Sequence, residues 1–278
     1  MPRGAPVDAR KAVGETAGSP GRLTWVGHAT VLLELDGVRV LTDPFLRRQP
    51  LHLRRHAPPV DPSVVRDLDV VLISHQHLDH LHMPSLRLVA RDVPLVVPRG
   101  AGRVVARGGF TAIHEVVERD TLRFGAVEIA AVQAVHGDDR RPGAPTAKPL
   151  GYVVTGGACV YFAGDTSLFD GMAELTARAI DVALLPIWGW GPKIGAGHMD
   201  PDAAARAAAL IRPAVAVPIH YGTYFPHGMG ARRHRTFTEP PRRFVAATAR
   251  LAPDVDVRVL APGASMALGA ALTPAPPP

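Results

Sequence analysis

The sequence predicts a layered α/β fold, and three observations carry that expectation. Short apolar runs of strand length recur along the chain, helix-length stretches lie between or after them, and each half contains a hairpin signal. At 278 residues the chain fits one large domain. Hydrophobic residues make up 47% and aromatic ones 5%, so the core is expected to be filled by Val, Ala and Leu.

Residues 1–21 read as a flexible leader and 271–278 as a disordered tail, leaving 22–270 as the domain. The first hairpin joins Thr30–Leu35 to Val38–Leu41 through Asp36-Gly37, a pair that accepts the positive φ angles of a two-residue turn. The second joins Gly151–Thr155 to Cys159–Ala163 around Gly156-Gly157. Each unit ends in an aspartate, Asp43 or Asp165, an echo that points to two similar β-rich halves. Further strands are expected at Val70–Ser74, Leu95–Val97, Val127–Val135, Val182–Ile187, Val215–Ile219 and Val257–Leu260. Helices are expected at Pro84–Arg91, Gly102–Arg107, Asp202–Ile211 and Pro240–Leu251. Asp200 caps the third of these and Pro201 takes its first position.

The net charge of +6 and a pI near 10.1 agree with an anionic substrate or partner and equally with a solvated basic surface. A single cysteine, Cys159, excludes an intrachain disulfide and a cysteine-based metal site, and its apolar surroundings read as core. The N-terminus lacks an apolar segment of signal-peptide length, and no run approaches the ~20 apolar residues of a membrane span. The chain therefore reads as a soluble cytoplasmic protein.

The decisive pattern is where the strands stop. Val70–Ser74 runs into His75, Val127–Val135 into His136, Cys159–Gly164 into Asp165, and Val215–Ile219 into His220. Four strands each deliver a metal-competent side chain at one end, as a preorganised site requires. Together with His75, three more candidates crowd into six residues, His75-Gln76-His77-Leu78-Asp79-His80, with Gln76 set aside. In an extended segment His75 and His77 point the same way, and Asp79 and His80 turn toward a second position. Imidazole with carboxylate suits zinc, manganese or iron and leaves coordination positions open for water. A His-rich surface loop is the alternative, but the segment follows a buried strand.

The His75-x-His77-x-Asp79-His80 run resembles the diagnostic motif of the metallo-β-lactamase superfamily. The resemblance extends from about Leu23 to Gly263 and implies a four-layer αββα sandwich. It also implies two divalent ions, one held by His75, His77 and His136 and the other by Asp79, His80 and His220, with Asp165 bridging. Zinc is the first expectation, manganese and iron the alternatives. Such a pair lowers the pKa of bound water from about 15.7 to about 7, and the resulting hydroxide attacks carbon or phosphorus, with Asp79 orienting it. Trp25-Val26-Gly27-His28-Ala29-Thr30, Leu41-Thr42-Asp43-Pro44, Gly197-His198-Met199-Asp200-Pro201 and Ile219-His220-Tyr221-Gly222-Thr223 resemble the branch holding L-ascorbate-6-phosphate lactonase and N-acyl-phosphatidylethanolamine phospholipase D.

Weaker candidates carry two readings each. By resemblance His198 lines the pocket as proton donor or oxyanion stabiliser; otherwise it makes a structural hydrogen bond. His28 and Asp43 either stand behind the ligands and fix their orientation or serve the fold alone. Trp188 and Trp190 either wall a substrate pocket or plug the core. The Arg47-Arg48…Arg54-Arg55 and Arg232-Arg233-His234-Arg235 runs either grip phosphate or face solvent.

The expected function is hydrolysis of a phosphodiester or a small phosphorylated molecule. Alternatives are a lactonase or amidase, a nuclease, an iron-dependent non-hydrolytic enzyme, or a DNA-binding regulator supported by charge alone. The 55 positions from Asp165 to His220 leave little room for a dedicated nucleic-acid-clamping domain, so a small anionic substrate is favoured.

Overall fold

Alternation along the strands sorts side chains to opposite faces, and the computed structural model uses both. It describes residues 21–137, 146–228 and 234–269. The leader, apart from Gly21, and the tail lie outside the described residues, as do Arg232 and Arg233.

The first half contains β1 (Arg22–Gly27), β2 (Thr30–Leu35), β3 (Val38–Thr42), β4 (Leu53–Arg55), β5 (Val70–Leu72), α1 (Met83–Leu86), β6 (Leu95–Pro98), α2 (Gly102–Ala106) and β7 (Ile113–Val116). The second contains β8 (Thr121–Phe124), β9 (Val127–Gln133), β10 (Leu150–Thr155), β11 (Cys159–Phe162), β12 (Val182–Pro186), α3 (Pro201–Ile211), β13 (Val215–Ile219), β14 (Tyr224–Pro226), α4 (His234–Leu251), β15 (Asp256–Val257) and β16 (Ser265–Ala267).

One sheet runs β16-β1-β2-β3-β5-β6-β7 and the other β15-β13-β12-β11-β10-β9-β8, while β4 and β14 form a separate pair. In each large sheet an antiparallel meander, β1-β2-β3 or β9-β10-β11, hands over to three parallel strands. The two halves therefore repeat one plan, and the two hairpin turns meet. Asp36 and Gly37 take φ of 48° and 78°, and the Asp36 carboxylate accepts the Gly157 N–H at 2.6 Å.

Val31, Leu33, Val40, Val70, Leu72 and Val96 face the second sheet in a shared core with Ile129, Tyr152 and Phe162. Their neighbours Leu32, Leu41, Val71, Leu95 and Val97 face outward under Leu86, Val89, Val105 and Phe110. On the other outer face Ala204, Ala208 and Phe244 bring α3 and α4 onto β12 and its neighbours. Helices, sheet, sheet and helices thus make the expected αββα sandwich. Strands β5, β6, β12 and β13 are buried along their whole length, which is why they read as continuous apolar runs. No helix among the described residues is long and apolar enough to cross a membrane.

Several boundaries differ from expectation for visible reasons. Strand β5 stops before Ser74 because the Asp43 carboxylate takes the Ser74 N–H. Strand β9 stops at Gln133 because Val135 pairs with Thr166 and Ser167 instead. Helix α4 begins six residues early, with Pro240 and Pro241 inside it rather than at its start. The strand expected at Val257–Leu260 is the two-residue β15, and the first helix is only Met83–Leu86. The Asp200 cap is as expected, its side chain accepting from Ala203 N at 2.8 Å.

Candidate metal centre

The C-terminal ends of β3, β5, β11 and β13, with the loop after β9, converge at one rim between the sheets. Every expected ligand lies there. His75, His77 and His136 offer nitrogens within 4.8 Å of one another, and Asp79, His80 and His220 do the same together with His28.

The histidines are aimed by what holds their other nitrogen. His136 Nδ1–H donates to the Gly197 carbonyl at 2.7 Å, leaving Nε2 to face His77 Nδ1 at 3.0 Å. His220 Nδ1–H donates to the Trp188 carbonyl at 3.1 Å, leaving Nε2 to face His80 Nε2 at 3.1 Å. His80 Nδ1–H donates to Asp43 Oδ2 at 2.7 Å. That same oxygen accepts the Ser74 hydroxyl at 2.5 Å, so the hydroxyl in turn accepts from His75 Nδ1, 3.0 Å away. His75 Nε2 is then left pointing inward, buried and without a partner. Two facing imidazole nitrogens cannot both donate to each other, and a buried orphan nitrogen costs stability. A cation between them resolves both, so these residues fit a metal.

Asp165 lies between the two sets. Its Oδ1 is 3.2 Å from His220 Nε2, and its Oδ2 is 3.1 Å from His80 Nε2 and 3.9 Å from His136 Nε2. Burial alone would raise the Asp79 and Asp165 carboxyls, but His80, His220 and neighbouring imidazoles hold both well below the usual carboxylate range. Both are therefore ionised acceptors at neutral pH. Burial would lower His80, yet Asp165, Asp79 and Asp43 carry it well above its ordinary value, so the cluster favours positive charge at this point.

Backbone strain concentrates here. His28, Asp43 and His220 adopt φ of 55°, 32° and 62°, left-handed conformations that cost about 1–2 kcal/mol for a residue with a Cβ. Two glycines admit the close approaches. A Cβ on Gly197, at φ +80°, would sit 2.7 Å from His136 Nδ1, and one on Gly164, at φ +60°, would sit 2.5 Å from Ser74 Cβ.

His198 joins the centre from its open side. Its Nε2 is 3.2 Å from Asp165 Oδ2, and its Nδ1 faces the carbonyls of Ala196 and Gly195 at 3.1 and 3.3 Å. Burial lowers the ring, but the Asp165 carboxylate and those two carbonyls raise it on balance. His28 donates Nε2–H to Asp79 Oδ2 at 2.9 Å. Its pKa falls to about 3 through burial and the nearby His220, so it is neutral there. Asp43 contacts His80 directly and His75 through Ser74, while His28 stands close enough to group with Asp79, His80 and His220.

The remaining candidates divide. Trp188 packs on the edge of the core and supplies the carbonyl that holds His220. Trp190 packs against Phe45, Leu53 and Tyr224 and meets His52 edge-on at 4.9 Å. Arg55 is no surface cation. It is buried, with Nε on the Pro58 carbonyl at 2.8 Å and Nη2 on the Val26 carbonyl at 2.7 Å. Arg47 donates to the Pro84 carbonyl.

Sequence reading missed Ser74, although it adjoins His75, and the carbonyls of Gly197 and Trp188. A backbone acceptor leaves no signature in residue type. A glycine before His198 was the one usable signal.

Residues 38–221 match the Beta-lactamase superfamily domain. A UPF0173 metal-dependent hydrolase of Methanopyrus kandleri is 36% identical over 250 residues, covering 88% of this chain and 98% of the relative. A UPF0173 protein of Pyrococcus furiosus is 30% identical over 204 residues, covering 73% and 84%. Among solved structures, the metallo hydrolase Igni18 of Ignicoccus hospitalis superposes with a TM-score of 0.67 at 25% identity, covering 89% and 98%. The chain belongs to the metallo-β-lactamase superfamily, among its metal-dependent hydrolases.

Proposed function

We propose that the protein is a dinuclear metal-dependent hydrolase acting on a phosphodiester or another small phosphorylated molecule. The observation that carries the two-ion reading is Asp165, whose two oxygens lie within 3.2 Å of His220 and His80 and 3.9 Å of His136. On this reading His75, His77 and His136 hold one ion and Asp79, His80 and His220 the other, with Asp165 between them. Two divalent ions, zinc first with manganese or iron as alternatives, would lower the pKa of a bound water to about 7 and polarise the scissile group.

The chain's own residues supply the rest. Asp79, fixed by the His28 N–H, and Asp165 remain ionised and would accept hydrogen bonds from the attacking water in a set direction. His198 Nε2 carries a proton at the open side, where a departing oxygen would need one. A cleft of about 700 Å³ begins at His136 and is bounded by Arg99, Lys148, Val116 and Val117. Arg99 and Lys148 against the single acid of the cleft, Glu118, favour a substrate with an anionic group beyond the bond that breaks.

Hydrolysis of bis(p-nitrophenyl) phosphate by metal-replete protein, with Asp79→Asn alongside and metal content measured in both, tests this. Turnover that vanishes in Asp79→Asn supports phosphodiester chemistry. Two bound ions without turnover would move the substrate to a lactone or amide. Fewer than two ions in active protein would overturn the dinuclear reading.

A further inference from the structure

The arginine pairs of the 44–62 loop are not used by the metal centre, yet the fold gathers them. Arg55 N–H bonds the Arg48 carbonyl at 2.8 Å, and Leu53 N–H bonds the Pro50 carbonyl at 2.9 Å. This closes a short hairpin whose two arms carry Arg47-Arg48 and Arg54-Arg55. Pairing of β4 with β14, Arg54 opposite Phe225, holds the hairpin on the body of the protein. On β4 the side chains alternate, Leu53 and Arg55 buried and Arg54 exposed.

A cleft of about 750 Å³ opens beside this hairpin, a size that suits a small organic ligand. Arg47, Arg48 and Arg54 line it, and Arg55 lies beneath with its charge neutralised by no carboxylate, only by carbonyls and the Tyr224 hydroxyl. Among the described residues neither Arg48 nor Arg54 has a carboxylate in ion-pair range. The cleft's acid, Asp61, already caps the following turn by accepting Ser63 N–H at 2.9 Å. The lining also has an apolar part, Leu46, Val60, Val65 and Leu88, the last 43% exposed. His56, which also lines the cleft, is lowered by burial and then by Arg54 and His227, in keeping with a positive local field. Like charges gathered on one cleft repel, and an arriving anion relieves that repulsion.

We propose that this cleft is a second, non-catalytic binding site for a small phosphorylated organic anion. Arg48 and Arg54, with Arg47 behind them, hold the phosphate, and the organic part lies on Leu46, Val60, Val65 and Leu88. Guanidinium forks match phosphate oxygens in geometry as well as charge. None of the seven candidate ligands lines this cleft. Phe45, the residue before Leu46, packs 5.4 Å from the His28 ring, so an occupant sits one residue from the wall of the metal centre.

Calorimetric titration of metal-replete protein with phenylphosphonate, and separately with inorganic phosphate, tests the site without relying on turnover. Phenylphosphonate is expected to bind more tightly than phosphate. Arg48→Ala/Arg54→Ala is expected to weaken it at least ~10-fold, the scale of losing one charged hydrogen bond. Arg48→Lys/Arg54→Lys should retain part of the affinity, which separates lost charge from damaged fold, and any separate binding event at the metal centre should persist in Arg48→Ala/Arg54→Ala. Cleft affinity unaltered in the double alanine variant, absent in the wild type, or equal for the two probes would each overturn the proposal.

Discussion

Replacing Asp43 by Asn should weaken both halves of the metal centre at once. Asp43 is fully buried and accepts Ser74 N–H at 2.7 Å on Oδ1, with the Ser74 hydroxyl and His80 Nδ1–H on Oδ2. An asparagine keeps one acceptor oxygen, so its NH2 must confront either the Ser74 N–H or the pair of donors on the other side. Turned toward Ser74 N–H, it loses that bond. Turned toward Oδ2's partners, it opposes His80 Nδ1–H and forces the Ser74 hydroxyl to rotate away from its role toward His75. Each charge-assisted bond lost is worth about 1.5–3 kcal/mol. Loss of an orienting partner typically costs about 10–100-fold in metal affinity. Because Asp43 serves His80 directly and His75 through Ser74, we expect each of the two proposed ions to be lost about 10–100-fold more readily. Equilibrium dialysis against graded chelator, followed by elemental analysis, measures this, with circular dichroism to verify folding. Loss of one ion while the other binds with wild-type affinity would refute the coupling through one carboxylate.

Two further outcomes follow from the same geometry. His198→Ala should lower kcat about 10²–10⁴-fold while metal content and KM stay near wild type. An unchanged kcat in steady-state assay would return His198 to a purely structural role. Acidification should destabilise the metal-free protein between the ordinary histidine range and about pH 4. In that window His28, lowered to about 3 by burial and His220, and His136, lowered to about 4 chiefly by burial, take no proton when folded but do so when unfolded. His80 and His198, raised in the fold, are charged in both states there and do not oppose the trend. A denaturant midpoint that holds or rises from pH 6.5 to pH 4 would contradict this sign.

Much of the centre was readable from the chain because its information is local. An apolar run that ends in His, or His-x-His-x-Asp-His after a buried strand, needs only neighbours a few positions away. The Asp36-Gly37 turn and the Asp200 cap were legible for the same reason, since a positive φ and a capped N-terminus are satisfied within a few residues. The strands at β1, β7, β8 and β16 were not, because their apolar runs are short or interrupted, and β16 in addition has a partner far away in sequence. Arg22, for instance, pairs with Ala267.

What the sequence by itself determined, then, was the set of candidate ligands and the strands that carry them. Only the tertiary structure decided how those candidates are aimed. Asp43 meets Ser74 across 31 positions and His80 across 37, and His136 meets the Gly197 carbonyl across 61. The fate of the arginines was likewise decided in space, Arg55 buried on the Val26 carbonyl and Arg54 left at a cleft, one position apart. A ligand is a residue type, visible in one letter, whereas its orientation belongs to whichever atom the fold sets behind it, and that atom is as readily a carbonyl of any residue as a side chain.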